Sequence, residues 1–258
     1  MRVLKFFSAL LLLLVAIAAV LAWTMPARLA WKLMAPRVPV LQLSDISGSM
    51  WDGRAAQASI AGQPLGALAW QTELLPLLHG DVRVHAHIKG ADIEGHGEVT
   101  RHMDGLIVVR DAQVQLPGSV LQGALGLPSL RVQGRLHLSA REARIRNAWF
   151  VSLDGTGRWD DVGVSGAAEA HLGTINMRFS EPSPPTVHGE IRDDGHGPLT
   201  IHGALTALPT GYTLDARLRA RDPNDLQTQE ALRYLGQRQA DGSVLLRAGG
   251  SLVLPSLP

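Results

Sequence analysis

An alternation of apolar and polar side chains with a period of two residues recurs along this chain from Val40 onward, and it limits the fold more than any other feature. The clearest case is VRVHAHIK at residues 82–89, where four apolar side chains alternate with four polar ones. Because successive side chains of a β-strand point to opposite faces, this pattern predicts strands with one buried and one solvated face. Glycine and proline, 27 and 15 of the 258 residues, are typical of the turns between them. The sequence therefore predicts a mainly β protein of mostly antiparallel strands.

Patterns typical of helices are few. The stretch LLPLLHG, residues 74–80, predicts one short turn, and PGSVLQGALGL, residues 117–127, contains interior glycines. The best helix prediction covers Asp222 to Gly236, with Asn224 or Asp225 as the N-cap and Gly236 as the C-cap. The sheet is thus expected to carry few short helices.

The N-terminus carries an unbroken apolar run from Phe6 to Trp23. As a helix rising ~1.5 Å per residue, this run would cover about 27 Å, close to the ~30 Å hydrocarbon core of a bilayer. It predicts a transmembrane signal anchor over residues 1–25 that contacts membrane lipid through residues 6–23. The alternative is a cleaved signal peptide, because AIA at residues 16–18 offers small residues at a suitable spacing. The run continues past that stretch with no polar segment, which favours an uncleaved anchor.

The segment after the anchor, residues 26–39, predicts a juxtamembrane connector. Leu29, Leu33 and Met34 can share one side of a short interfacial helix there. Basic residues flank the apolar run on both sides, so the positive-inside rule leaves its orientation nearly balanced; these residues are Arg2, Lys5, Arg28, Lys32 and Arg37.

Residues 40–258 predict one β-rich domain, since no sharp change in composition divides them. The best candidate for an internal boundary is the proline-rich stretch at residues 180–186.

Two tryptophans stand in glycine-rich stretches with a similar order of residues. LSDISGSMWDGRAAQASI, residues 43–60, and VSLDGTGRWDDVGVSGAAEA, residues 151–170, each place a Trp between Gly and Asp, ahead of small residues. We interpret both as packing features of strand turns, because Trp buries a large area and glycine lets the backbone bend around it. A partner-binding or interfacial aromatic is the alternative. The predicted turn residues are Gly48, Trp51, Gly53, Gly155, Gly157 and Trp159, and Trp70 is predicted on the face of a strand.

Several kinds of chemistry are excluded or unsupported. The chain has no cysteine, which excludes disulfides, cysteine-type zinc sites and thiol catalysis. It has no P-loop, no G-x-S-x-G and no H-E-x-x-H motif. A net charge of +1 without a basic run gives no footprint for nucleic acid. We predict a protein that is not an enzyme and has no cofactor.

Histidine is the strongest candidate for a metal ligand. His85 and His87 lie two residues apart and share one face of a predicted strand, with His96 and His102 in the strands that follow. Another two, His196 and His202, flank a later strand. Because His85 and His87 fall on the polar phase of the alternation, an ordinary solvated face is the favoured interpretation, and no metal site is predicted.

Several stretches in chain order resemble the N component of the bacterial type II (general) secretion pathway. VLQLSDISGSMWDGRA, residues 40–55, is similar to the family's aliphatic strand and its G-[T/S]-x-W-x-G-x-A turn. LGALAWQTELLPLLHGDVRVHAHIKG, residues 65–90, resembles the family's strand with a Trp, the short helix after it and the next strand. GRWDDVGV, residues 157–164, resembles the family's second Trp turn. Residues 211–252 are similar to its C-terminal strand, helix and final hairpin.

The resemblance implies an accessory, non-enzymatic component of the bacterial cell inner membrane, single-pass, with the bulk of the chain in the periplasm. It would assist the export of folded proteins across the outer membrane, with the secretin and the inner-membrane platform proteins as partners. The family's sheet also resembles the elongated, curved sheets of AsmA-like lipid-transfer proteins. The alternative function that this implies is a lipid-binding or lipid-transfer module.

Overall fold

The structure is a computed structural model, and it describes residues 25–38, 41–60, 62–126, 129–180 and 186–251. The predicted anchor lies outside the described residues except for Met25. Among the residues that are described, no helix is both long enough and apolar enough to span a membrane.

The described chain forms one antiparallel sheet of fourteen strands, in which each strand from β1 to β11 pairs with the next along the chain. β14 then pairs with β12, and β13 lies outside β14. This confirms the prediction of a mainly β, antiparallel protein. The strands are β1 (Leu41–Gly48), β2 (Asp52–Ile60), β3 (Gln63–Glu73), β4 (Val82–Lys89), β5 (Glu94–Arg101), β6 (Ile107–Pro117), β7 (Leu130–Arg146), β8 (Trp149–Gly166), β9 (Ala170–Ser180), β10 (Val187–Asp193), β11 (Leu199–Leu208), β12 (Gly211–Ala220), β13 (Gln237–Arg238) and β14 (Val244–Gly250).

The described part of the chain contains few helices, as the sequence predicts. They are α1 (Ala27–Met34), α2 (Gln122–Leu125), α3 (Leu226–Leu235) and the 3₁₀ turns Ala35–Arg37, Pro76–His79 and Gly118–Leu121. Asp225 is the N-cap of α3, and its carboxylate accepts from the backbone N–H of Thr228 at 3.1 Å. The predicted C-cap, Gly236, follows α3 directly but has an extended backbone with φ of 173°.

β8 is longer than its sequence suggests. The glycine-rich stretch around Gly155 and Gly157 was expected to turn, but β8 runs through it and pairs with β7 on one side and β9 on the other. β8 has a bulge at Asp161, where its register shifts relative to both β7 and β9. Asp161 has a φ of 52°. The tight turn lies earlier, at Asn147 and Ala148, whose φ values are also positive.

The strands on either side of the proline-rich stretch at residues 180–186 belong to the same sheet. β9 and β10 pair directly, from Ser180 with His188 to Ile175 with Asp193. Residues 181–185 between them lie outside the described part of the chain.

The larger core lies on one face of β7 to β14. Helix α2, which precedes β7, contacts β14 at the far side of this group of strands. If the strands lay flat, these two would stand about 29 Å apart at a spacing of ~4.8 Å per strand. A four-residue helix cannot bridge that distance, so this half of the sheet curls. The core side chains here include Leu130, Val132, Leu136, Trp159, Leu199, Ile201, Leu218 and Leu232.

A smaller core lies at the other end of the sheet, under β1 to β3. α1 packs there on the same face, and Ala27 lies buried with Ile46 and Ala55. Trp31 and Trp70 pack against this cluster. The Nε of Arg28 donates to the carbonyl of Ile46 at 2.6 Å, which ties the helix to β1.

Candidate functional site

One face of the sheet is apolar from its first strand to its last long one. Strand pairing joins single positions of β1 to β12 and β14 into an unbroken row of apolar side chains and glycines. This row, which we call the apolar row, is Ile46, Ala55, Leu68, Ile88, Gly95, Val114, Leu138, Gly157, Met177, Ile191, Gly203, Ala216 and Leu246. The alternation in the sequence thus becomes one continuous apolar surface.

Glycines in the apolar row make room for the side chains beside them. A Cβ on Gly157 would lie 3.0 Å from Cε of Met177 and 3.2 Å from Cδ2 of Leu138. A Cβ on Gly203 would lie 2.8 Å from the Cβ of Ala216. These contacts are tighter than carbon atoms normally allow, so the face is shaped for side chains of alternating size.

An apolar cavity of about 410 Å³ lies on this face within the curled half of the sheet. Strands β7 to β12 and β14 line it, and Leu121, Leu125 and Leu235 close it from the helical side. Its surface is apolar throughout, and its volume falls within the ~300–1,000 Å³ typical of small-molecule sites. An apolar surface of this kind favours apolar ligands.

The cover over the cavity is fastened by a side-chain amide. Gln122, at the start of α2, donates from Nε2 to the carbonyl of Leu130 at 2.6 Å. Its Oε1 accepts from the N–H of Val132 at 2.8 Å. Both bonds reach β7, so the helix is held against the strand by a pair of complementary bonds.

Trp159 forms part of the cavity wall. Its side chain is only 6% exposed, and its Nε1 donates to the carbonyl of Gln133 at 3.1 Å. Gly118 and Gly134 provide the space, since a Cβ on either would lie 2.8 Å from the indole nitrogen. Trp159 therefore packs in the middle of a strand, and the expected turn is not found there.

The first glycine-rich stretch does form a turn, between β1 and β2. Gly48 has a φ of +84°, a conformation in which glycine is favoured. Gly53 packs against the ring of Trp70, because a Cβ there would lie 2.6 Å from Cε2 of that indole. Trp70 also donates from Nε1 to the carbonyl of Met50 at 3.2 Å. Trp51 itself is half-buried at the rim of the turn.

The two tryptophans that share one structural role are therefore Trp70 and Trp159. Each lies on a strand, packs on glycine and donates its indole N–H to a carbonyl outside its own strand. The similar order of residues in the two glycine-rich stretches instead predicts that Trp51 and Trp159 share a role. The signal that could have indicated Trp70 is its place on the apolar phase of β3, opposite a glycine on β2.

The histidines lie on the opposite, polar face. His85, His87 and His96 border a groove of about 870 Å³ together with Asp45 and Glu98. Nε2 of His85 lies 2.7 Å from Oε1 of Glu73. That hydrogen bond, with the charge of Arg83 beside it, holds the pKa of Glu73 below its ordinary value. In the described residues, no three His, Asp or Glu side chains are grouped so as to hold a metal ion.

These features define a class of protein: a single curling antiparallel sheet with an apolar face partly covered by short helices. Comparison with known proteins names the family. Residues 39–247 match the family model of type II secretion system (T2SS), protein N, so the chain belongs to that family. The protein is thus a component of the type II secretion system and works with other components of it.

Individual relatives carry the same name. The chain is 30% identical over 187 residues to the type II secretion system protein N of Klebsiella pneumoniae, covering 70% of this chain and 71% of that protein. The Aeromonas hydrophila protein is 26% identical over 247 residues, covering 93% of this chain and 96% of its own length. The Vibrio cholerae protein is 28% identical over 145 residues, 54% of this chain and 57% of its own. No solved structure matches the chain.

Proposed function

We propose that this protein is a non-enzymatic accessory component of the type II secretion system that assists the export of folded proteins across the outer membrane. Residues 6–23 anchor it in the bacterial inner membrane, residues 26–39 connect the anchor to the sheet, and residues 40–258 lie in the periplasm. Its partners are the secretin and the inner-membrane platform proteins. The observation that carries the proposal is the family match, which spans residues 39–247 and so covers nearly the whole sheet.

The open edges of the sheet support a binding role. In the described structure β1 pairs with β2 on one side only, and β13 covers β14 only at Val244 and Leu245. The remainder of β14, Leu246–Gly250, pairs with β12 alone among the described strands. Exposed strand edges bind extended segments of other proteins through main-chain hydrogen bonds. The sheet therefore offers edges at which secretion components can add a strand.

Deletion of the gene in its own bacterium tests this proposal. We expect exoproteins to accumulate in the periplasm and to fall in the medium. The full chain should restore secretion, whereas a chain in which a cleavable signal peptide replaces residues 1–25 should not. Unchanged secretion after deletion, in a strain without a second copy of the gene, would contradict the proposed role.

The apolar cavity favours a second candidate, a lipid-binding or lipid-transfer module. Its surface is apolar throughout, and it lies on the apolar face that crosses the sheet. A hydrocarbon chain would remove this surface from water, with a gain of ~25 cal/mol per Å² of apolar area. The chemistry of the site therefore fits an acyl chain rather than a polar metabolite.

Native mass spectrometry of the gently purified full chain tests this candidate. Co-purifying acyl chains are expected, and Ala216→Phe, which places a phenyl ring in the cavity, should reduce their occupancy at least about fivefold. Ala204→Phe is the matched control, because Ala204 is exposed on the opposite face of the neighbouring strand. Equal occupancy in the two variants, with both still folded by circular dichroism, would rule out the cavity as the lipid site.

A further inference from the structure

The chain joins the sheet at the end where β1 turns into β2, which we call the first-turn end. The N–H of Met50 donates to the carbonyl of Met25 at 3.0 Å, and Pro26 forms a β-bridge with Ser49. The apolar run of residues 6–23 stands directly before this point in the sequence. If residues 6–23 anchor the chain as proposed, the membrane lies on the side of the first-turn end.

Hydrogen bonds connect this point to the next loop at the same end. Thr72 donates its N–H to the carbonyl of Trp51 at 2.7 Å and its hydroxyl to the carbonyl of Met50 at 3.3 Å. β3 ends at Glu73, and the loop that follows carries Leu74 and Leu75. Leu75 is 77% exposed, even though it is a large apolar side chain.

A third loop at this end carries another exposed apolar side chain. Met103, between β5 and β6, is 80% exposed. It lies beside Gly80, where a Cβ would stand 2.5 Å from the Cγ of Met103. At ~4.8 Å per strand, the β5–β6 turn is about 19 Å from β1. Trp51, half-buried at the first turn, adds an aromatic side chain to the same end.

Three acidic side chains beside these loops lie within bonding distance of Arg or His side chains. Glu73 bonds to Arg83 and His85, at 3.3 and 2.7 Å. Asp81 lies 3.0 Å from Nδ1 of His102. Asp104, next to Met103, is bound by Arg146 at 2.6 Å. Arg83 and Arg146 offset the charges of Glu73 and Asp104 near the exposed Leu and Met side chains, which makes contact with a less polar medium easier.

We infer that the first-turn end rests on the surface of the bilayer, with Leu75 and Met103 inserted at the boundary between headgroups and acyl chains and Trp51 at the headgroup level. The inference rests on the proposed anchoring of residues 6–23, which delivers the chain to this end. Leucine, methionine and tryptophan are suited to this boundary, where the apolar part of a side chain leaves water and an amphipathic ring lies at the headgroup level. Strands β1 to β6 then run away from the membrane, and the apolar face that crosses them begins close to it.

Because the chain has no cysteine, single cysteines give unambiguous probes. Leu75→Cys, Met103→Cys and Leu226→Cys would each carry an environment-sensitive fluorophore on the full chain. Leu226 is the matched control: it is also 77% exposed, but it begins α3, which follows the opposite end of β12. The proteins are reconstituted into phosphatidylethanolamine–phosphatidylglycerol vesicles containing a lipid with a nitroxide near the headgroup end of its acyl chain.

We expect the probes at positions 75 and 103 to be quenched at least about threefold more than the probe at 226, because interfacial side chains lie only ~5–10 Å into the boundary region. Equal quenching at all three positions, in protein that resists carbonate extraction, would overturn this inference and leave the anchor intact. Release of the chain by carbonate would instead overturn the anchoring itself and the inference with it.

Discussion

At the scale of single residues, two indoles in this protein differ in what surrounds them. Trp159 lies in the cavity wall, donates to the carbonyl of Gln133 and packs on two glycines. Trp51 lies half-buried at the rim of the first turn, on the surface that we propose faces the membrane. The first indole should therefore matter for stability and the second mainly for membrane contact.

Replacing each Trp by Ala separates these roles. Trp159→Ala should lower the free energy of unfolding by about 3–5 kcal/mol, because it removes a buried ring and leaves a cavity. Trp51→Ala should lower it by about 1 kcal/mol or less, as is usual away from the core. Urea denaturation followed by circular dichroism measures both. Equal losses of stability would show that Trp51 is also a core residue.

Two glycines offer a matched test of steric contact. Gly62 and Gly134 both have positive φ, +82° and +107°, but a Cβ on Gly62 meets nothing within 4 Å, whereas one on Gly134 would lie 2.5 Å from the carbonyl oxygen of Asp160 and 2.8 Å from Nε1 of Trp159. Gly62→Ala should cost about 1–2 kcal/mol for the backbone alone. Gly134→Ala should cost a further ~1–3 kcal/mol for the clash. Similar melting temperatures for the two variants would contradict this packing.

At the scale of elements, the turn between β10 and β11 is organised by one carboxylate. Burial alone raises the pKa of Asp193, but the N–H groups of Ile201 and Gly195, at 2.8 and 3.0 Å, and the guanidinium of Arg221 outweigh it. The pKa of Asp193 therefore lies below its ordinary value. The ionised carboxylate holds the start of β11 to the end of β10.

The stabilisation by Asp193 should depend on pH. Because its pKa is lower in the folded state, its contribution is complete above the unfolded-state value of ~3.9 and is lost as the pH falls through the folded value. Asp193→Asn should be less stable than the natural protein at neutral pH, and the difference should shrink below about pH 4. Thermal melts of both proteins across this pH range measure the difference in stability.

The control for this measurement is Asp215→Asn. Asp215 pairs with Arg247 at 3.1 Å, but both side chains are largely exposed. Exposed ion pairs contribute only ~0–1 kcal/mol, so little change is expected at any pH. If the difference in melting temperature between Asp193→Asn and the natural protein widened in acid, the ionised carboxylate would not be the stabilising form.

At the scale of the whole molecule, the sheet is continuous but its core is not. The larger cluster lies between β7 and β14 and the smaller one beneath β1 to β3. β7 and β8 are also the longest strands, with 17 and 18 residues. Local stability follows buried apolar contact and protected hydrogen bonds, so the two halves should open separately.

Hydrogen exchange measured by mass spectrometry should show this difference. Amides of β7 to β12 are expected to exchange more slowly than those of β1 to β3. Leu232→Ala, which removes a buried side chain of α3, should speed exchange in the larger half and leave β1 to β3 nearly unchanged. Uniform acceleration along the chain would mean that the sheet opens as a single unit.

Much of this architecture can be predicted from local pattern. The period-two alternation identifies β4 as a strand, and which of its side chains share a face follows from backbone geometry alone. The N-cap of α3 is predictable for the same reason, because Asp225 needs only the N–H groups of the next turn. The stretch at Gly155–Trp159 is mispredicted as a turn, since glycine marks turns in isolation but here clears space between two neighbouring strands.

The sequence by itself determined that this chain forms many short strands with one apolar face, since side-chain alternation needs no long-range contact. Only the tertiary structure decided the register that joins those faces into the apolar row, and the curl that encloses the cavity. Register depends on which strands meet, and neither local propensity nor periodicity records that. The pairing of Trp70 with Gly53 and of Trp159 with Gly134 was decided in the same way, because each contact joins residues that are distant in the chain and neighbours only in the folded sheet.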